Sequence, residues 1–171
     1  MTADRLRLRP VRVDDEAIVL AAHETMANEG FVFALAYGDD DTFADYVARL
    51  ERIERGEPPM GHYVESSFLL AEVDGEVVGR TSIRYRLNDF LLHEGGHIGY
   101  CVLPPHRRRG YASEILRQSL ERVRAAGVDQ VLVTCDDGNV GSATVIERAG
   151  GVLENVVDDR SGGRTRRYWI G

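Results

Sequence analysis

Residues 104–113 read PPHRRRGYAS, and the fold turns on the segment that begins near their end. From Ala112 onward the apolar residues Ala112, Ile115, Leu116, Leu120 and Val123 recur at helical spacing, which predicts a helix ending near Gly127. A helix start carries partial positive charge and backbone N–H groups without partners, so anions are favoured there and cations are not. Yet Arg107, Arg108 and Arg109 stand at that end. A bound polyanion resolves the conflict: the N–H groups bond to it, the dipole favours it, and the arginines become counter-charges. Gly110 suits such a site, because a residue without a β-carbon lets the backbone approach phosphate or take positive φ. A solvated basic turn is the plainer alternative, and a nucleic-acid contact is a third.

Working outward, HIGYCVL (97–103) reads as a strand ended by Pro104-Pro105, and QVLVTC (130–135) as a short strand buried on both faces. Together with the arginine-headed helix they make a strand-helix-strand crossover. Upstream, RLRLRPV (5–11) alternates like a first strand, Asp14 can cap a helix through EAIVLAAHETMAN, and Phe43, Tyr46, Val47 and Leu50 mark a second helix closed by RGEPP. SFLLAEV and EVVGRTSIRYRL flank Asp74-Gly75, a hairpin signal, and the loop NDFLLHEGG comes after them. Downstream, a short helix with Val145, Ile146 and Ala149 stops at Gly150-Gly151, and two strands flank RSGGR. The order is β-α-α-β-β-β-α-β-α-β-β. This is an α+β fold, a mixed and mostly antiparallel sheet of about seven strands with about four helices.

The 171 residues, 43% hydrophobic and 29% charged, suit one globular core spanning residues 1–171. The opening MTADRLRLRPVRVDD lacks the apolar stretch of a signal peptide, and nowhere do 18 apolar residues run together, so a cytoplasmic protein with no membrane partner is expected. Cys101 and Cys135 have no CxxC or histidine-rich companion segment, so they read as ordinary buried residues, with neither a metal site nor a disulfide. The net charge of -7 argues against nucleic acid and for a cationic ligand.

The arginine-rich loop and its surroundings carry a resemblance. Arg107-Arg108-Arg109-Gly110-Tyr111-Ala112 is similar to the Q/R-x-x-G-x-G/A loop of the GNAT superfamily of acetyl-CoA-dependent N-acetyltransferases. As in that family, the loop comes after a strand ending in V-x-P, here Val102-Leu103-Pro104, and an asparagine leading a short helix stands 32 residues after Arg107, here Asn139. GGHIGY, TCDDGN and RRYWI also resemble a bacterial subgroup of acetyltransferases with mostly undefined substrates. The resemblance implies acetyl-CoA as the acetyl donor, with coenzyme A as product. The loop of Arg107, Arg108, Arg109, Gly110, Tyr111, Ala112 and Ser113 would hold the pyrophosphate. Tyr100, Cys101 and Val102 would offer backbone groups to pantetheine, with Asn139 and nearby Ser142 beside it. A plain helix N-cap is the other reading of Asn139.

An alkylamine has a pKa near 10 and must lose a proton before attacking a thioester. The attack generates an oxyanion, for which the family analogy offers a backbone N–H of Val102 or Cys101. The chain departs from the family pattern where proton transfer is concerned. Ile146 stands where many members have a tyrosine acting as general acid, Thr134 where some have a base glutamate, and Gly96 where others do. Glu94 and His97 are therefore the candidate bases, with His93 a weaker one. A ping-pong role for Cys135 is not expected, because direct transfer needs no acyl-enzyme.

The expected activity is acetyl transfer from acetyl-CoA to a primary amine, on a small molecule or a protein. A non-catalytic acyl-CoA-binding or sensing module is the alternative. The acceptor pocket is expected among the first two helices, the NDFLLHEGG loop and the final hairpin. Oligomeric state is open, a homodimer being one form.

Overall fold

The computed structural model describes residues 3–58 and 61–171, so Pro59, expected to help close the second helix, lies outside the described residues. The chain runs β1 (Arg7–Pro10), α1 (Glu16–Ala27), α2 (Phe43–Glu54), β2 (Ser66–Val73), β3 (Glu76–Arg84), β4 (Ile98–Val102), α3 (Tyr111–Ala125), β5 (Val131–Asp136), α4 (Val140–Arg148), β6 (Val152–Asp158) and β7 (Arg164–Ile170). One seven-stranded sheet has the order β1-β2-β3-β4-β5-β7-β6, antiparallel everywhere except between β4 and β5. That parallel pair is the crossover expected from the helix between them.

Strand alternation sends side chains to two cores. Leu69, Ala71 and Val73 of β2 meet Tyr111, Ile115, Leu116, Leu120 and Val123 of α3 and Ala143 and Ile146 of α4. Phe68 and Leu70 turn the other way, toward Val19, Ala22 and Met26 of α1 and Phe43, Tyr46 and Val47 of α2. The sheet is thus covered on both faces. Leu116 is completely buried, and burial of one such side chain contributes roughly 1.5 to 3 kcal/mol.

Two local expectations are corrected. Asp15 rather than Asp14 stands at the start of α1, and its carboxylate accepts hydrogen bonds from Arg9 Nη1 at 2.7 Å, Arg9 Nη2 at 2.8 Å and the Arg12 amide at 2.7 Å. The charged guanidinium binds the carboxylate more strongly than a neutral helix amide would, so the side chain turns to Arg9. Strand β3 ends at Arg84 instead of continuing to Leu87, and the loop after it contains a π-helical turn, Leu91–Gly95. Among the described residues no helix is long and apolar enough to cross a membrane.

Candidate acetyl-donor and acceptor clefts

Strands β4 and β5 are register partners only at Ile98 and Val133. Beyond that pair they part, and the opening is the root of the site. Along the other edge of β4, Arg84 N–H donates to the His97 carbonyl at 2.7 Å and Leu103 N–H to the Val78 carbonyl at 2.8 Å. With the register Gly79↔Val102 to Ile83↔Ile98 between them, the odd-numbered residues of β4 bond to β3. The backbone groups of Tyr100 and Val102 consequently face the opening, whereas those of Cys101 face β3. Of the two amides considered from the sequence, that of Val102 faces the opening and that of Cys101 does not. The Val102 carbonyl already accepts from Arg107 Nε at 3.0 Å.

A cleft of about 630 Å³ occupies this opening and reaches the start of α3. It brings together Tyr100, Cys101, Val102, Arg107, Arg108, Gly110, Tyr111, Ala112, Ser113, Asn139 and Ser142. The one expected donor-site residue it does not include is Arg109, whose Nη2 donates to the Pro105 carbonyl at 3.3 Å. Arg148, from the last turn of α4, lines the cleft and was not anticipated, since a basic residue near a helix end reads as a response to the dipole.

The three arginines at the helix start separate in role. Arg107 pairs with Glu29 at 2.6 Å and so serves as a brace between α3 and the segment after α1. Arg109 turns back on the preceding turn. Arg108 lines the cleft and takes φ +63°, a left-handed conformation that costs a non-glycine residue about 1 kcal/mol or more. Gly110 has φ +82°, where glycine carries no such cost.

Asn139 serves as the N-cap of α4, its Oδ1 accepting from Ser142 N–H at 3.0 Å, and it also lines the cleft. The N-cap reading therefore holds, and the same residue faces the cleft. Tyr100 and Ser142 share a hydroxyl hydrogen bond of 3.1 Å, and burial pushes the Tyr100 phenol up to about 12, so it stays a donor at neutral pH. Ile146, at the family's tyrosine position, is completely buried in the α3–α4 core. Burial likewise raises both thiols, that of Cys135 to about 11, which leaves neither as a thiolate nucleophile.

Beyond Tyr100 a second cavity of about 290 Å³ continues from the first, sharing Phe31, Tyr100, Asp136, Asn139 and Ser142 with it. It is closed by Leu35, Arg80, Arg84, Glu94, Thr134 and Thr165. Of the elements expected here, the loop before β4 and the final hairpin contribute, but neither helix does: α1 is represented only by the segment after it, with Phe31 and Val32, and Leu50 and Ile53 of α2 line an adjoining apolar cavity instead. Arg80 and Arg84 were missed. Their signal was present in EVVGRTSIRYRL, where arginines two pleats apart share one face of an otherwise buried strand.

The candidate bases part company. Glu94 sits in the π-helical turn that docks on the final hairpin, where His93 Nε2 meets the Asp158 carbonyl at 2.8 Å and Arg160 N–H donates to Glu94 Oε2 at 3.1 Å. Thr134 Oγ1 donates to the Glu94 carbonyl at 2.8 Å, which ties this turn to the strand position where some relatives carry glutamate. Glu94 Oε1 lies 3.2 Å from Arg160 Nε but is buried and makes no hydrogen bond. Glu94 as a residue lines the second cavity, with this oxygen turned into the ion pair with Arg160.

His97 lines neither cavity. Its N–H donates to the Leu132 carbonyl at 2.7 Å, its Nδ1 accepts from Leu132 N–H at 2.9 Å, and its carbonyl holds Arg84 N–H. It joins β3 to β5 at the point where β4 begins. Burial, and then the charge of Arg84, lower its pKa below the ordinary 6.5. The folded state therefore disfavours the imidazolium, and the stability this contributes is present above pH 6.5 and is lost as pH falls below it. His97→Gln is expected to cost about 1 kcal/mol, from an imperfectly satisfied Leu132 amide, and to flatten this acid limb of the stability curve. Thermal melts between pH 5 and pH 8 check it, and an unchanged limb would show that His97 is not its source.

Residues 5–152 match the family model described as acetyltransferase (GNAT) domain. No curated protein sequence matches the chain. Similar solved structures include RimJ of Mycobacterium smegmatis in complex with CoA-disulfide, 20% identical, TM-score 0.70, over 96% of this chain and 81% of that one. The yncA acetyltransferase of Salmonella typhimurium with acetyl-CoA is 15% identical, TM-score 0.65, over 97% and 93%. The spermidine/spermine N-acetyltransferase SpeG of Vibrio cholerae is 15% identical, TM-score 0.67, over 98% and 94%.

Proposed function

The chain belongs to the acetyltransferase (GNAT) family, and from that premise we propose that it moves an acetyl group from acetyl-CoA directly to the amine of a small-molecule acceptor. The observation that carries the reading is the opening between β4 and β5, which leads from a glycine-containing helix start into a second, smaller cavity lined by both carboxylates and guanidinium groups. The residues fit the donor. Arg108, Gly110, Ala112 and Ser113 would receive the pyrophosphate, with Arg148 adding charge, and the Tyr100 and Val102 backbone would receive the pantetheine arm as a neighbouring strand would.

Acetyl-CoA supplies the acetyl group as a thioester, whose thiolate, with a pKa near 8.5, leaves without needing an acid. The absence of a tyrosine at position 146 is compatible with transfer for that reason. The remaining work falls on the chain. Val102 N–H is the donor for negative charge developing on the carbonyl oxygen. Glu94 takes the amine proton, directly or through one water, as the nitrogen–carbon bond forms and the carbon–sulfur bond breaks. His97 is a positioning residue, fixing Arg84 and the Gly95–Gly96 turn that carries Glu94.

Release of free thiol from acetyl-CoA, measured across a panel of amines, amino acids and amino sugars, tests the proposal. Amine-dependent release supports it. Micromolar binding of acetyl-CoA with no release for any acceptor would assign the chain instead to the non-catalytic binding modules, the reading that Ile146 favours.

A further inference from the structure

Two guanidinium groups stand at the acceptor end of the cleft, and neither has a carboxylate partner among the described residues. Arg80 is 3% exposed. It donates to the carbonyls of Phe33 at 3.1 Å, Val32 at 2.5 Å and Gly99 at 3.3 Å, with its guanidinium over the ring of Phe31 at 4.6 Å. Arg84, one pleat pair further along β3, donates from Nη1 to the carbonyls of Gly95 at 3.2 Å and Gly96 at 3.4 Å. Its Nε and Nη2 make no hydrogen bond to described residues. A β-carbon at Gly99 would lie 3.2 Å from Arg84 Nη1, so the glycine is what gives the guanidinium room beside β4.

A buried cation is ordinarily paired, since an unpaired one forfeits its hydration. Arg80 is buried and Arg84 half-buried, and carbonyl dipoles hold both in place without cancelling their charge. Burial, and then the neighbouring Arg80, pull the Arg84 pKa down to about 10, which still leaves it charged at neutral pH. Two cations therefore stand in the wall of a small cavity that also carries the carboxylates of Glu94 and Asp136.

We propose that the acetyl acceptor is a free α-amino acid or close analogue, its carboxylate held by Arg84 with Arg80 behind it and its amine directed to Glu94. This deepens the acetyltransfer reading and rests on it. The opposed charges of the cavity match the two ends of a zwitterion, and the free fork of Nε and Nη2 matches the two oxygens of a carboxylate. The lining balances two arginines against two carboxylates, whereas the whole chain has a net charge of -7, which points to a cationic acceptor. The arginine field also disfavours the ammonium form of a bound amine, so it favours the neutral nucleophile.

The test is kcat/KM, read by thiol release, for the L-amino acids, their primary amides and their decarboxylated amines, with wild type, Arg84→Gln and Arg84→Lys. The amide has the less basic amine, so preference for the acid is not a matter of intrinsic reactivity. The expected result is a preference of at least tenfold for one or more acids over the matched amide and amine. Arg84→Gln erases that ratio through KM, and Arg84→Lys, which keeps the charge and loses the fork, restores part of it. Equal or better turnover of the amides or of the plain amines overturns the carboxylate site and leaves acetyl transfer standing. Turnover of no acceptor of any class overturns both. If Arg84→Gln does not fold, the wild-type ratio of acid to amide decides alone.

Discussion

Glu94→Gln is expected to lower turnover by about 10² to 10⁴ at saturating acetyl-CoA, the range that removal of a positioned general base produces. The substitution keeps the shape of the side chain and removes its charge, and with it both the ability to take a proton and the ion pair with Arg160. Its effect should fall on kcat with little change in acetyl-CoA affinity, because Glu94 lines the second cavity and not the cleft that receives the donor. His97→Gln is the matched comparison. It should keep turnover and lose stability instead, since its Nδ1 is engaged by the Leu132 amide. A Glu94→Gln variant with wild-type turnover would mean that the proton leaves to ordered water, or that the amine binds already neutral.

Gly110→Glu is expected to weaken acetyl-CoA binding by at least tenfold, about 1.4 kcal/mol. Two causes act together. The new carboxylate stands at the start of α3, where the Arg108 and Gly110 loop would meet pyrophosphate, and like charges repel. The φ of +82° is also strained for any residue with a β-carbon, so the loop shifts and its N–H groups lose alignment. The nearest atom to a β-carbon at this position is Ala3 Cβ at 3.6 Å, an ordinary contact, so the variant should fold. Gly110→Ala separates the two causes, because it keeps the strain and lacks the charge. Titration calorimetry reads both, and equal affinities for all three proteins would remove the anion site from the helix start.

The elements were legible because each rests on a local pattern. The spacing from Ala112 to Val123 marked α3, the alternation of SFLLAEV marked β2, and Asp74-Gly75 marked the turn to β3, where Asp74 takes φ +52° and Gly75 φ +86°. The donor cleft was legible for a related reason. The loop from Arg107 to Ser113 is one continuous segment, and its partner strand and asparagine lie at fixed distances from it in the chain, so a one-dimensional pattern carries most of the three-dimensional site. Only Arg109 fell outside it.

The acceptor end had no such pattern. Glu94, Arg84, Thr134 and Thr165 belong to a loop and three strands whose separations in sequence vary freely, and they become neighbours only when the sheet forms in the order β3-β4-β5-β7. Strand register sorted the backbone of Tyr100 and Val102 from that of Cys101, a distinction that identical residue types at a shifted register would reverse. The same holds for His97 and Glu94, three residues apart and both plausible as bases. One has its lone pair taken by the Leu132 amide, and the other keeps a carboxylate oxygen without a donor. Residue type and spacing determined the fold and the candidate donor cleft, because both are written largely in contiguous segments. Which side chain can take a proton, and whether a cation in the wall is paired, depend on partners brought from distant parts of the chain, and only the folded sheet decides who they are.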